Sequence, residues 1–127
     1  MSVPAHIQSF VDDFYAKSDA RDKAAWVDCF TPDANLDLAG KVGKGSEGIG
    51  KVCDGVWEGL ARRQHHVHGI YINPAVENDV VVLGSIDMDR KDGIEIRGVE
   101  WGGRMQLKDG KLADYKVWVL PPPAKSG

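Results

Sequence analysis

The hydrophobic spacing of this chain changes character once, near Arg62, from recurrences of three and four residues to short blocks separated by turn residues. Helices come first and strands last, and that order cannot build repeated strand–helix–strand units. It specifies an α+β domain rather than a doubly wound parallel sheet. Upstream of the switch, Ile7, Phe10, Val11 and Phe14 mark one face of a helix from Ser2 to about Ser18, with Pro4 suited to its first turn. Asp22 can cap a second helix whose inward residues are Trp26, Cys29 and Phe30 and which Pro32 ends. Residues 34–39 then read as a short first strand, and Gly40, Gly43 and Gly45 as a pliable loop. Ser46 can cap a third helix from Glu47 to about Leu60, where Ile49, Val52, Cys53, Val56, Trp57 and Leu60 form the cleanest amphipathic stripe. Gly48, Gly50, Gly55 and Gly59 oppose it by roughly 1 kcal/mol each relative to alanine, so tertiary packing must hold this helix.

Beyond Arg62 four more strands are expected at about 64–73, 79–90, 94–107 and 111–120. Asp92-Gly93 and Asp109-Gly110 supply turns that accept positive φ, as hairpins require. Gly102-Gly103 marks a bend or bulge in the fourth of five strands. Pro121-Pro122-Pro123 cannot donate to a strand ladder, which leaves residues 1–120 as a single domain and 121–127 as a proline-rich tail.

The 127 residues suffice for one core. A formal charge of −3 offers nucleic acid no basic surface. No apolar run reaches the roughly 20 residues of a membrane-spanning helix, and no basic segment followed by an apolar stretch opens the chain, so a cytoplasmic location is expected. Cys29 and Cys53 lie outside any C-x-x-C spacing and read as reduced, buried thiols. Phosphate-loop and G-x-S-x-G nucleophile patterns do not occur.

Several short runs, in order, carry a resemblance: Asp19-Ala-Arg-Asp22 before Trp26, Cys29-Phe30-Thr31-Pro32-Asp33-Ala34, Gly45-Ser-Glu-Gly-Ile49, Arg63-Gln64-His65, and the Lys108-Asp109-Gly110-Lys111 hairpin. In these the chain resembles the SnoaL-like branch of the nuclear-transport-factor-2-like superfamily, with ketosteroid isomerases, limonene epoxide hydrolases and scytalone dehydratases, over about residues 5–120. The resemblance implies a cone-shaped α+β barrel, three N-terminal helices packed on a strongly curved mixed or antiparallel sheet, and a homodimer formed through the convex sheet face. It also implies polyketide or other secondary metabolism as a setting. Gln64-His65 matches the place of a pocket histidine in proteins like scytalone dehydratase, and Asp19 that of a pocket aspartate. The family's neighbouring tyrosine is replaced by Ser18, and its second histidine has no counterpart among Ser85, Asp87, Asp89 and Arg90. Asp37 lies within about one residue of the aspartate base of ketosteroid isomerases, on a strand face that register alone decides.

On the residues themselves, His65 held against Asp19 could move a proton near neutral pH, or be a strand histidine with a local partner. His66 and His68 share the opposite strand face and could chelate a metal, although solvent exposure or an interface accounts for them more simply, so no metal is assigned. Tyr15, Asp37, Trp101, Met105 and Trp118 are candidate pocket residues for a small hydrophobic molecule, whereas Trp26 and Trp57 fall on core-facing helical stripes. Glu100 and Arg104 could pair on one strand face. The leading reading is a cofactor-independent isomerase, dehydratase or cyclase using His65 and Asp19. The alternatives are a non-catalytic small-molecule carrier, and a protein-interaction dimer whose cavity would fall below about 300 Å³.

Overall fold

The computed structural model describes residues 3–120. Its elements run α1 (Ala5–Asp19), α2 (Lys23–Val27), β1 (Phe30–Leu38), β2 (Lys41–Lys44), α3 (Gly45–Trp57), β3 (Leu60–Ile72), β4 (Asp79–Arg90), β5 (Glu95–Lys108) and β6 (Lys111–Val119). The strands form one open, mixed sheet in the order β2-β1-β6-β5-β4-β3. β1 runs parallel to β6, and every other neighbouring pair is antiparallel. The α+β class and three N-terminal helices on a mixed sheet are therefore as expected. The proline run at 121–123 falls outside the described residues, and α1 begins at Ala5 after Pro4 rather than at Ser2.

The helices cover one face of the sheet and the core lies between them. Ile7, Val11 and Phe14 of α1 are buried at the helical spacing that the sequence displays. Along β4 the even positions Val80, Val82, Gly84 and Ile86 point into the core while Leu83 is exposed. Asp22 caps α2 by accepting from the Ala25 N–H. The Asp109-Gly110 hairpin has positive φ at both central residues, between the paired Lys108 and Lys111.

Four local expectations are corrected. α2 stops at Val27 and Pro32 lies within β1, in the stretch between Phe30 and Asn35 where the register to β6 shifts and an absent N–H costs no ladder bond. The expected glycine loop instead contains a two-residue turn, Ala39-Gly40, and the short strand β2. Ser46 does not cap α3; Lys44 occupies the cap position without a side-chain bond. No register shift falls at Gly102-Gly103: the bulges of β5 lie opposite Ile86/Met88 and at Gln106/Leu107.

Those two glycines make room for rings rather than for a bulge. A Cβ on Gly102 would lie 2.5 Å from the Trp118 indole, and one on Gly103 2.9 Å from the Tyr115 ring. Gly84, paired with Trp101 across β4 and β5, is tighter still, because its Cβ would come within 2.1 Å of the His66 carbonyl oxygen and 2.9 Å of the Trp101 indole. Gly84→Ala is accordingly expected to cost about 3 kcal/mol in urea unfolding through overpacking. Gly55→Ala, on an open helical surface, should stabilise by about 1 kcal/mol.

Candidate active site

A cavity of about 350 Å³ opens between α1, α3 and the sheet, lined by Tyr15, Trp26, Trp57, Arg63, His65, Trp101 and Tyr115 among others. Strand alternation builds its polar part: Arg63 and His65, two apart on β3, both face inward, opposite Met88 and Ile86 of β4. The lining residues Ala39, Lys41 and Val119 are exposed and mark the mouth, whereas Tyr15, Trp26, Arg63 and Trp101 are buried.

His65 is held from behind by Asp19, the last residue of α1. Its Nδ1–H donates to Asp19 Oδ1 at 2.6 Å, and its backbone N–H donates to Asp19 Oδ2 at 3.0 Å. With Nδ1 so engaged, Nε2 carries the lone pair and meets an Arg63 guanidinium N–H at 3.4 Å. The ring is clasped between aromatics, 4.9 Å from Tyr15 and 5.5 Å from Trp101 between centroids. Burial lowers the His65 pKa below its ordinary value; the Asp19 hydrogen bond opposes this and the Arg63 charge adds to it. His65 is thus neutral at pH 7, the form of a base ready to accept a proton.

Two phenols complete the polar set. The Tyr15 and Tyr115 hydroxyls share a buried hydrogen bond of 2.8 Å. Burial raises both pKa values, so both stay protonated and one O–H remains available to a ligand. Arg63 is 9% exposed and its guanidinium lies 5.6 Å from the Trp57 ring centroid. Burial lowers its pKa from the ordinary arginine value, with Asp19 the largest opposing influence. Arg63 was not a candidate from sequence, although the two-residue step to His65 was the signal that places both on one strand face.

The other candidates divide. Tyr15 and Trp101 line the cavity, and so do Trp26, which also lies in the hydrophobic core, and Trp57, which packs against it. Asp19 is not on the wall but behind His65. Asp37 is turned away, because Ala34, Leu36 and Leu38 take the inward positions of β1, and its carboxylate accepts the Gly40 N–H at 2.9 Å. Met105 is fully buried in the core away from the cavity, and Trp118, 41% exposed, covers Gly102 on the outer sheet face. His66 and His68 do not come together on a metal: His66 pairs with Asp87 at 2.9 Å and His68 with Ser85 at 3.3 Å. No metal-binding group of three His, Cys, Asp or Glu occurs among the described residues. Arg104 pairs with Asp79 through two bonds of 2.9 and 3.1 Å, not with Glu100. Cys29 and Cys53 are free and buried, and burial pushes the Cys53 thiol up to about 11. No helix among the described residues is long and apolar enough to cross a membrane.

Three helices before an open mixed sheet, with a histidine–aspartate pair beside an aromatic cavity, define a domain of the cone-shaped α+β kind. The chain belongs to the SnoaL-like domain family, whose model matches residues 11–115. Solved structures agree on the fold. A nuclear-transport-factor-2-like protein of unknown function from Burkholderia pseudomallei is 13% identical over 92% of each chain, with a TM-score of 0.79. TerC, co-crystallized with polyporic acid, is 16% identical over 91% of this chain and 92% of its own, with a TM-score of 0.77. A provisionally assigned SnoaL-like polyketide cyclase from Shewanella putrefaciens is 10% identical over 93% of this chain and 91% of its own, also at 0.77. The comparison with curated proteins gives no match.

The lowered His65 pKa links the site to stability. The unfolded chain takes up a proton on this histidine near 6.5 and the folded chain only at lower pH, so the neutral ring's contribution is present above 6.5 and is lost as pH falls. Urea unfolding between pH 7.5 and 5 should show this loss, and His65→Gln should flatten that part of the profile.

Proposed function

We propose that this protein is a cofactor-independent enzyme that moves a proton on a small hydrophobic metabolite, as an isomerase, dehydratase or cyclase does. The observation that carries the reading is His65: its Nδ1–H is fixed by Asp19 at 2.6 Å, and its ring faces an apolar cavity. Asp19 orients the ring and stabilises the imidazolium that forms when Nε2 takes a proton. Arg63 and the Tyr15–Tyr115 pair offer donors to an oxygen that gains negative charge as the proton leaves carbon or hydroxyl. The aromatic walls exclude water and strengthen each of these interactions. Polyporic acid with TerC, and the polyketide cyclase assignment of the Shewanella protein, support an oxygenated aromatic or polyketide-like substrate.

The fixed tautomer, with a lone pair on Nε2 toward the cavity, favours a proton-transfer role over a carrier of the same fold. The cavity exceeds the roughly 300 Å³ at which a pocket begins to hold a ligand, which weighs against a purely protein-interacting role. Homodimerisation and a cytoplasmic location go with this reading.

5-Nitrobenzisoxazole tests the base without knowledge of the natural substrate. Abstraction of its C3 proton breaks the N–O bond and leaves a nitrile and a coloured phenolate. The wild-type protein should accelerate this reaction, and His65→Ala should lower the rate at least ~100-fold. The rate should rise with pH to a plateau by neutrality, with its half-point below the ordinary histidine value of 6.5. An unchanged rate in His65→Ala would remove His65 from the mechanism.

A further inference from the structure

The polar groups of the cavity are one-sided. Arg63 and Lys41 are its cations, and no aspartate or glutamate is among the described residues that line it. This is a positive hollow in a chain whose formal charge is −3. Arg63 is 9% exposed and forms no ion pair with a described residue. Its Nε, together with Nε1 of Trp26 and of Trp101, is buried without an acceptor. All three belong to residues on the cavity wall, and all three can only donate. Arg63 lies 5.6 Å from the Trp57 ring centroid, and among the described residues its one side-chain hydrogen bond is the 3.4 Å contact with His65 Nε2, which leaves further N–H groups of the fork unspent. A buried guanidinium with no carboxylate in hydrogen-bond reach is costly unless something that enters the cavity meets its terminal N–H groups.

We propose that the cavity is a receptor for a small organic anion: a flat, apolar molecule carrying one carboxylate or ionised enol oxygen group, which Arg63 receives. The planar fork of the guanidinium matches two oxygens of a carboxylate, or the paired oxygens of an enolised dicarbonyl. The O–H left free by the Tyr15–Tyr115 pair donates to a second oxygen function on the ring, and the tryptophan indoles flank its faces. Lys41 at the mouth draws the anion in. An oxygen set on Arg63 lies beside His65 Nε2, since the two side chains meet at 3.4 Å. This inference rests on reading the cavity as a ligand site, as the proposed function does, but not on His65 acting as a base.

Isothermal titration calorimetry of the full chain at pH 7.5 and low salt, with 2-naphthoate against 2-naphthamide, tests it. The two probes share a shape and differ in charge. The wild-type protein should bind naphthoate at least about tenfold more tightly than the amide, the margin of a charge-assisted hydrogen bond. Arg63→Met should bring the two affinities together, Arg63→Lys should keep part of the preference, and Lys41→Gln should mainly weaken its salt dependence. Equal affinities in the wild type, a preference for the amide, or no binding of either probe at millimolar concentration overturns the proposal. So does a naphthoate preference that survives in Arg63→Met. If Arg63→Met does not fold by circular dichroism, the wild-type comparison and Arg63→Lys decide. Retained preference in His65→Ala, alongside failure of that base in the benzisoxazole assay, would leave an anion receptor standing without the proton-transfer enzyme.

Discussion

Both oxygens of one carboxylate tie the end of a helix to the edge strand of the sheet, and the site exists because of that tie. Asp19 closes α1, where the helix dipole makes a negative charge unwelcome. Two hydrogen bonds from His65, one from the backbone and one from the ring, offset the cost. The bond to the ring sets its tautomer, and the bond to the backbone sets the height of β3 against α1. Tyr15 and Ser18, within the last turn of the same helix, are carried to the cavity wall by the same attachment. A residue that violates a local preference, compensated by contacts at the site itself, is a common mark of a functional position.

Around that tie the cavity is assembled from aromatic faces and donors. Phe14, Tyr15, Trp26 and Tyr115 form a chain of ring contacts between helices and sheet, with Phe14 at 5.1, 5.5 and 5.2 Å from the other three in that order. Such walls exclude water, which lowers the local dielectric and pushes His65 toward its neutral form. The same low dielectric raises the cost of burying Arg63 and the indole N–H groups of Trp26 and Trp101, which have no acceptor among the described residues. Gly84 contributes by absence, because no side chain stands between β3 and the Trp101 indole.

Much of the architecture was legible in the sequence. The spacings of Ile7, Val11 and Phe14 and of Ile49 and Cys53 are those of buried helical faces, and Asp109-Gly110 forms the tight hairpin its residue types prefer. β2 escaped notice because Lys41–Lys44 is too short for its spacing to be read and contains a glycine. Pro32 misled because a proline is a sound helix stop in general, yet here it lies in a strand where the ladder to β6 is interrupted. Gly102-Gly103 reads as a bulge from sequence, but the register is unbroken there and its physical role is to seat Trp118 and Tyr115. Asp37 illustrates the limit of pattern: a shift of one residue reverses a strand's faces, and the register of β1 turns this carboxylate to the Gly40 N–H.

The sequence by itself determined the order of elements apart from β2, the single core and the pairing of Asp19 with His65 as the residues to watch. Those follow from local periodicity, turn chemistry and a family resemblance carried by short contiguous runs. Only the tertiary structure decided which side chains share the hollow. Arg63, Trp26 and Trp57 join it while Asp37, Met105 and Trp118 do not. The physical reason is that a wall made from several strands and helices depends on register and on the angle at which elements dock. Neither is encoded within any one segment; both are set by long-range packing of rings against the glycines that leave them room.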